Sequence, residues 1–381
     1  MAGIIEYIKW RGDLSLESSP FNPVDNLILS ELSYISFTDV VSKNKKNLLH
    51  DVAKSYFKLH DKENLGLLLT GEYSLMLKLM ARSNRYGNLS IKNCTEIFNE
   101  DIEIQFSAMT FELDKHTAYL AFRGTDDTLL GWKEDFQMSF LDVIPSQKEA
   151  LTYVNNVSKK YKKIYIGGHS KGGNLAVYAS IYADKKTKNK IVHTYNNDGP
   201  GFKKNILETN CYKDISDRII TFVPQSSVVG MLLEHEEYYR VIKSNQKGLL
   251  QHDGFSWQIL GSDFEYLTNV TSDSLVIDMT LKNVLNTMDL KQREVFTNIL
   301  FDIISVNENR TLIDIKKDGL KNFQAMLKKY IGLEKDTKKA ISHIVSLFFE
   351  EGFRSFLEIR TEEQWKQKIL TIKKRFLKDN K

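Results

Sequence analysis

The segment at residues 164–176, IYIGGHSKGGNLA, constrains the fold of this chain more than any other. An apolar run ends at Gly167, a Gly-x-Ser-x-Gly motif spans Gly168 to Gly172, and helical spacing of apolar residues follows. In such a turn the flanking glycines give the clearance that a side chain would remove. The segment therefore predicts a strand, a sharp turn and a helix, with the Ser170 hydroxyl exposed at the tip of the turn.

The motif alone also fits a glycine-rich turn that binds phosphate or closes a loop. Its glycines match neither the dinucleotide-binding pattern Gly-x-Gly-x-x-Gly nor the Walker pattern. We favour a nucleophile elbow, in which Ser170 Oγ is the nucleophile and the Lys171 amide faces a developing oxyanion. Gly168 and Gly172 are the elbow glycines in this interpretation.

Apolar periodicity predicts how the elbow is embedded. Residues 24–37, 46–59 and 74–83 have helical spacing, so the first hundred residues look mainly helical. Two apolar, aromatic runs at 104–113 and 117–123 predict a pair of adjacent strands. From Pro145 onwards helical and strand-like runs alternate, which predicts a parallel sheet with crossover helices.

Helical patterns then resume at residues 273–306, 319–331, 338–350 and 362–377. We predict an α/β-hydrolase with a mostly parallel central sheet, a helical N-terminal segment and a helical C-terminal appendage. The predicted boundaries are 1–100 for a mainly helical segment packed on the core, 101–265 for the hydrolase core and 266–381 for the helical C-terminal region.

Composition limits the classes of function. Of 381 residues, 42% are hydrophobic and 27% charged, which is typical of a folded globular protein. The net charge of +4 is too small to indicate a nucleic-acid surface. Two distant cysteines, Cys94 and Cys211, exclude a disulfide scaffold and a cysteine zinc cage and fit a reducing compartment. We find no apolar stretch suited to a secretory signal or a membrane span and expect a cytoplasmic protein.

A second functional element is predicted at the strand that ends before Gly124. An α/β-hydrolase takes an oxyanion donor from the loop after an upstream strand. We predict that the backbone amide of Thr125 or Asp126 is this donor, and that the Thr125 hydroxyl assists. The alternative is an ordinary capped turn, in which Arg123 is only a salt-bridge partner.

A serine nucleophile needs a base, and the chain order in this fold is serine, acid, histidine. We predict His252, which lies in a loop after the last predicted strand, at residues 238–243. The alternative is His235, in a charged stretch at 232–237 with helical spacing. His193 falls inside a predicted strand, and His343 falls in the helical C-terminal region.

Three carboxylates compete for the role of the acid. We predict Asp198, which stands just beyond the strand after the elbow helix, where Gly199-Pro200-Gly201 fixes a tight turn. The alternative role of Asp198 is to cap that turn. Glu234 and Asp253 are the rival acids.

Several segments of the chain resemble known protein families. The segments at 121–125 (AFRGT) and 168–173 (GHSKGG) are similar to the class 3, fungal lipase-like, branch of the α/β-hydrolases. A closer resemblance, to the Mbeg-like family of bacterial lipase-like proteins, rests on 7–13 (YIKWRGD), 20–22 (PFN), 131–136 (GWKEDF), 197–202 (NDGPGF) and 252–257 (HDGFSW). The resemblance implies Ser170 as nucleophile, His252 as base and the Thr125 loop as oxyanion hole.

One departure from the class 3 pattern bears on the acid. Class 3 lipases place an aspartate after the strand that corresponds to residues 218–223, where this chain has Gln225-Ser226-Ser227. The departure favours Asp198.

These patterns predict a serine hydrolase of carboxylic esters, of lipase, esterase or phospholipase type, that works through an acyl-enzyme on Ser170 without metal or cofactor. The alternatives are a non-catalytic binding or scaffold protein of this fold, and a thioesterase or peptidase that uses the same residues. The expected partner is an acyl ester or lipid, and no nucleic acid. An apolar stripe at 365–376 flanked by lysines is typical of a helix at a membrane surface, but a helix packed on the core has the same pattern.

Overall fold

An eight-stranded sheet organises the chain. The computed structural model describes residues 2–42, 46–60, 71–126, 128–305, 311 and 319–333. The strands are β1 (Ser90–Asn99), β2 (Ile104–Glu112), β3 (Thr117–Phe122), β4 (Lys163–His169), β5 (Ile191–Asn197), β6 (Ile219–Pro224), β7 (Tyr239–Ile242), β8 (Ile259–Leu260), β9 (Asp263–Phe264) and β10 (Tyr266–Leu267). The order in the large sheet is β1-β2-β3-β4-β5-β6-β7-β10, and β8 pairs with β9 separately.

Helices precede, connect and follow these strands. They are α1 (Ile4–Arg11), α2 (Pro23–Leu32), α3 (Leu49–Leu59), α4 (Gly71–Arg82), α5 (Leu129–Gln137), α6 (Pro145–Val157), α7 (Lys171–Tyr182), α8 (Lys185–Lys188), α9 (Lys204–Leu207), α10 (Asn210–Lys213), α11 (Ser272–Thr287), α12 (Leu290–Ile304) and α13 (Gly319–Gly332). Short 3₁₀ helices lie between several of them.

The centre of the sheet is parallel. Strands β3 to β7 run parallel to one another, whereas β1 pairs antiparallel with β2, β2 with β3 and β10 with β7. Helices α6 and α7 lie in the connections that enter and leave β4, as parallel strands require. The predicted α/β-hydrolase fold with a mostly parallel sheet is confirmed, and the strand pair predicted at 104–123 is the hairpin of β2 and β3.

Each face of the sheet buries a separate apolar cluster. On β3, Tyr119 and Ala121 belong to the cluster that α1 to α4 cover. Leu120 and Phe122 belong to the opposite cluster, which α6 and α7 cover. Successive side chains of a strand point to opposite faces, so this alternation shows that helices cover both faces of the sheet.

A buried ion pair fastens the N-terminal helices together. Arg85 Nε donates to Asp25 Oδ1 at 2.7 Å, and both side chains are fully buried. The Tyr86 hydroxyl donates to the same oxygen at 2.6 Å. Because Asp25 belongs to α2 and Arg85 follows α4, the pair fixes these helices against each other over the sheet.

Two local predictions differ from the structure. The sheet begins at β1, before the predicted start at 104, because β1 is an edge strand whose polar run and irregular pairing between Lys92 and Thr95 hide the pattern. The helix predicted at 232–237 is wrong. His235 Nδ1 and Glu237 Oε1 lie 2.9 Å apart, and residues two apart do not share a helix face.

The region predicted to be helical begins with strand β10, which adds to the large sheet, and from Ser272 onwards its described residues are mainly helical. The helix predicted at 273–306 is divided into α11 and α12, because Asp289 and Gln292 form a capping box that starts a new helix. The helix predicted at 319–331 corresponds to α13. His343 and the patterns at 338–350, 362–377 and 365–376 lie outside the described residues. Among the described residues, no helix has the length and apolarity needed to cross a membrane.

Candidate active site

Ser170 occupies a strained turn between β4 and α7. Its φ of 56° and ψ of −133° lie in a region that residues with a side chain seldom adopt. A Cβ at Gly172 would overlap the Phe122 carbonyl, and one at Gly168 would overlap the backbone of Gly172. The two motif glycines therefore let β3, β4 and α7 approach closely enough to form the elbow.

The serine is largely buried. Ser170 is only 8% exposed, which differs from the exposed tip that the motif predicts. The loop after β3 accounts for the difference, because a Cβ at Gly124 would stand 3.0 Å from the Ser170 Cβ. This loop therefore covers part of the serine.

Asp198 follows β5 in a second strained turn beside the elbow. Its φ is 53°, its side chain is fully buried, and the Ser170 amide donates to the preceding Asn197 carbonyl at 2.9 Å. The Ser227 hydroxyl donates to Asp198 Oδ1 at 2.5 Å. The segment after β6, at 225–227, thus contributes a hydrogen-bond donor to the carboxylate of Asp198 and no acid of its own. A Cβ at Gly230 would overlap Asp198 Oδ1, so this glycine gives the carboxylate its space.

The structure brings His252 to Asp198. His252 Nδ1 and Asp198 Oδ2 lie 2.6 Å apart, and the His252 side chain is 27% exposed. A carboxylate only accepts, so Nδ1 carries the donated proton and the lone pair of a neutral ring is on Nε2. His252 ends the 3₁₀ helix Gly248–His252, in the loop position predicted for it.

The rival residues have other partners. His235 pairs with Glu237. Burial alone would raise the pKa of Glu237, but the hydrogen bond with His235 and the charge of this histidine lower it to about 2. Glu234 lies 3.4 Å from the Lys282 ammonium. Asp253 accepts the Phe255 amide at 3.0 Å and caps a short 3₁₀ helix.

The loop after β3 carries the predicted oxyanion donors. The Thr125 hydroxyl donates to Asp135 Oδ2 at 2.5 Å, while Asp126 accepts the Thr128 amide at 3.0 Å and so closes the loop on itself. Arg123 forms the salt bridge considered for it, with Glu96 at 3.0 Å. The loop thus holds the Thr125 hydroxyl toward α5.

Sequence reasoning missed Asp135. Burial raises its pKa to about 6, although the nearby Lys171 charge and the Thr125 hydrogen bond favour the ionised form. Its Oδ1 is buried without a hydrogen-bond partner. The segment at 131–136, which contains Asp135, was a marker of family resemblance, but nothing in its spacing indicated contact with Thr125.

Sequence reasoning assigned Lys171 only a backbone amide. That amide belongs to the first residue of α7 and lacks a partner within the helix. The side chain runs the other way. Lys171 Nζ lies 2.9 Å from Glu134 Oε2 and 2.7 Å from Gln105 Oε1, and the ion pair is fully buried. This pair ties the elbow helix to α5.

Metal ligands do not cluster in the region that the structure describes, since no group of three or more His, Cys, Asp or Glu side chains there could hold an ion.

Comparison with protein-family models matches residues 80–302, more than half of the chain, to the Mbeg1-like family. A comparison with curated proteins gives no match. Among solved structures, the chain is similar to the crystal structure of M37 lipase, with 16% identity, 54% of this chain and 68% of that chain covered, and a TM-score of 0.34.

Proposed function

The chain belongs to the Mbeg1-like family, as its motifs predict, and from this premise and the geometry around Ser170 we propose that it is a serine hydrolase of carboxylic esters. The reaction proceeds through an acyl-enzyme on Ser170. The family and the α/β-hydrolase fold support a lipase-like hydrolase in general, and the site residues support this finer assignment.

The hydrogen bond between His252 and Asp198 carries the proposal. At 2.6 Å it fixes the imidazole tautomer in which Nε2 has the free lone pair. A buried aspartate in this position also stabilises the imidazolium that forms when the base takes a proton. The adjoining elbow supplies the serine, and its strained φ supports a functional role for that turn.

Each step of the proposed reaction is assigned to a named residue. Ser170 Oγ attacks the ester carbonyl carbon while His252 Nε2 takes the hydroxyl proton. The tetrahedral intermediate collapses, its C–O bond to the alcohol breaks, and His252 returns the proton to the leaving alkoxide. Water then attacks the acyl-enzyme, with His252 as base, and releases the carboxylic acid and the free serine. Asp198 keeps its negative charge throughout.

Two backbone amides stabilise the oxyanion in this proposal. One is the Lys171 amide at the start of α7, where the helix dipole also favours negative charge. The other is the Thr125 amide, in the loop that packs on the elbow through Gly124. Asp135 holds the Thr125 hydroxyl and so orients this loop.

Exposed apolar side chains near the site favour an acyl lipid substrate. Trp132 and Phe136 on α5 are 38% and 40% exposed, and Leu250, two residues before His252, is 66% exposed. Trp132 and Phe136 flank Asp135 on α5 and Leu250 precedes the base, and exposed apolar groups there suit an acyl chain or contact with a lipid surface. The unpaired thiols of Cys94 and Cys211 suit a reducing compartment such as the cytoplasm.

A fluorophosphonate probe tests the proposal, because its phosphorus reacts readily with the activated serine of a hydrolase and hardly at all with an ordinary serine. We expect the wild-type protein to be labelled and Ser170→Ala to remain unlabelled. Ser180→Ala is the matched control, since Ser180 lies in α7 and its hydroxyl bonds Thr194 at 2.7 Å. No labelling of the wild type, under conditions that label a known esterase, would favour a non-catalytic binding or scaffold protein.

A substrate panel then identifies the reaction. p-Nitrophenyl esters from acetate to palmitate, run beside thioester and peptide substrates, separate an esterase from a thioesterase or peptidase with the same residues. We expect ester turnover that rises with acyl chain length because of the exposed side chains of Trp132, Phe136 and Leu250. Faster turnover of thioester or peptide would contradict the assignment to carboxylic esters.

A further inference from the structure

The imidazole of His169, the residue before Ser170, takes no part in the proposed reaction and yet contacts the base. Its Nε2 lies 2.7 Å from the backbone carbonyl oxygen of His252. The centroids of the two imidazole rings are 4.6 Å apart. A carbonyl oxygen only accepts, so Nε2 of His169 carries a proton and donates it in this hydrogen bond.

The other ring nitrogen shows how this tautomer is held. The Tyr34 hydroxyl lies 3.0 Å from His169 Nδ1. In a neutral ring protonated on Nε2, Nδ1 accepts, so the Tyr34 hydroxyl donates. Burial lowers the pKa of His169 well below its usual value, and the charge of His252 lowers it further. His169 therefore stays neutral, with its one N–H directed at the base.

A buried carboxyl closes this cluster on the side of α2. Glu31 Oε1 lies 3.6 Å from His169 Nδ1, and Glu31 Oε2 accepts the Tyr73 hydroxyl at 2.6 Å. Burial raises the pKa of Glu31 to about 8; the Tyr73 hydrogen bond opposes this and the Asp253 charge adds to it. A Cβ at Gly254 would overlap Glu31 Oε1, so the loop of the base rests on this uncharged carboxyl.

We propose that His169 is a positioning residue that holds His252 by its backbone carbonyl. The 3₁₀ helix Gly248–His252 ends there, and carbonyls at a helix end lack partners within the helix. With its carbonyl on His169 and its Nδ1 on Asp198, the base is fixed at two points, and these set the direction of Nε2.

The two consecutive residues His169 and Ser170 then supply the hydrogen bond that holds the base and the nucleophile itself. His169 and Ser170 are consecutive, so any shift of the elbow moves both together. The distance between the hydroxyl and its proton acceptor is thereby protected against movements of the base loop. This inference rests on the proposed role of His252 as base.

Substitution of His169 by glutamine or by asparagine distinguishes the roles of its two ring nitrogens. The amide nitrogen of glutamine reaches about as far as Nε2, whereas that of asparagine reaches only as far as Nδ1. We expect His169→Asn to lower the fluorophosphonate labelling rate and kcat about 10- to 100-fold with KM nearly unchanged, because a small misplacement of a catalytic group costs about that much. His169→Gln should recover most of the loss.

The comparison of the two variants decides the matter. Equal losses in His169→Asn and His169→Gln, or a wild-type rate in His169→Asn, would overturn the inference. His193→Asn is the control for loss of an imidazole, because His193 is a half-buried histidine of β5. Its labelling rate should stay at the wild-type level.

A second measurement needs no turnover. We expect hydrogen–deuterium exchange of amides 248–257 to be faster in His169→Asn than in the wild type or in His169→Gln, because the loop loses an anchor. Unchanged exchange in His169→Asn would overturn the inference even in an active enzyme. If exchange is faster in His169→Asn but the wild type does not react with the probe, the role of His169 in holding the loop is supported and the proposed hydrolase activity is contradicted.

Discussion

Ser170 and Asp198 both have a positive φ, which residues with side chains seldom adopt. Their φ angles are 56° and 53°, and they follow the adjacent parallel strands β4 and β5. Carboxyl ends of parallel strands meet at one edge of a sheet, where binding sites of α/β proteins lie. The hydrogen bond from the Ser170 amide to the Asn197 carbonyl joins the two turns. The same edge of the sheet therefore stabilises both positive-φ residues.

Asp198→Asn tests the acid at this scale. The amide of asparagine would donate toward His252 Nδ1 and favour the wrong imidazole tautomer. We expect kcat for a p-nitrophenyl ester to fall by about three to four orders of magnitude, as it does for the equivalent change in a serine protease triad. Circular dichroism and the urea midpoint check that the variant is folded.

Glu234→Gln is the matched carboxylate control, because Glu234 pairs with Lys282 near the surface. Its kcat should stay within about twofold of the wild type, since an exposed ion pair contributes little. A wild-type rate in Asp198→Asn would return Asp198 to the role of a turn cap.

At the scale of elements, the elbow helix and α5 are joined by a buried charge pair. Lys171 comes from α7 and Glu134 from α5, and the Ser146 amide at the start of α6 donates to Glu134 Oε1 at 2.9 Å. Asp135 is the next residue of α5 and holds Thr125. The ion pair therefore sets the position of α5 relative to the elbow, and with it the position of the predicted oxyanion loop.

Lys171→Met tests this connection. Removal of the ammonium leaves the Glu134 carboxyl buried without its cation, and we expect the free energy of unfolding in urea to fall by about 3–5 kcal/mol. Lys133→Met is the control, because Lys133 pairs with Glu103 at 2.6 Å with both side chains partly exposed. We expect it to cost about 1 kcal/mol or less. Equal losses in the two variants would show that burial of the first pair has no special effect.

At the scale of the whole molecule, sequence reasoning reached the fold class because a parallel sheet buries continuous apolar strands and the elbow marks its centre. It missed β1, whose polar edge has no such pattern. It placed Ser170, Asp198 and His252 correctly relative to the predicted strands, and their catalytic roles stay predictions. Contacts such as Ser227 to Asp198 join residues distant in sequence through short polar side chains, and no periodicity announces them.

The N-terminal helices also contribute side chains near the site through contacts between residues distant in sequence. Glu31 comes from α2 and its partner Tyr73 from α4, while Gly254 and His169 come from the base loop and the elbow. A single carboxyl thus lies where three parts of the chain meet. Its charge state is a property of the folded molecule, because only the complete fold buries it.

Glu31 therefore makes stability depend on pH. Burial raises its pKa from an ordinary 4.5 to about 8, so the folded protein retains a proton that the unfolded chain has lost between these values. Stability from this group is complete below the unfolded pKa and falls as pH rises toward 8, with a slope of up to about 1.4 kcal/mol per pH unit. Glu31→Gln removes the titration and should flatten the profile.

Free energies of unfolding in urea at pH 5, 6, 7 and 8 measure this effect. Because Asp135 and His169 also titrate differently in the folded state, the informative quantity is the difference between Glu31→Gln and the wild type, which should move in favour of the variant as pH rises. Glu208→Gln is the control, since the Glu208 side chain is 60% exposed and should give a constant difference. A constant difference for Glu31→Gln would mean that Glu31 ionises in the folded protein as it does in the unfolded chain, and that the loop of the base rests on a charged carboxylate.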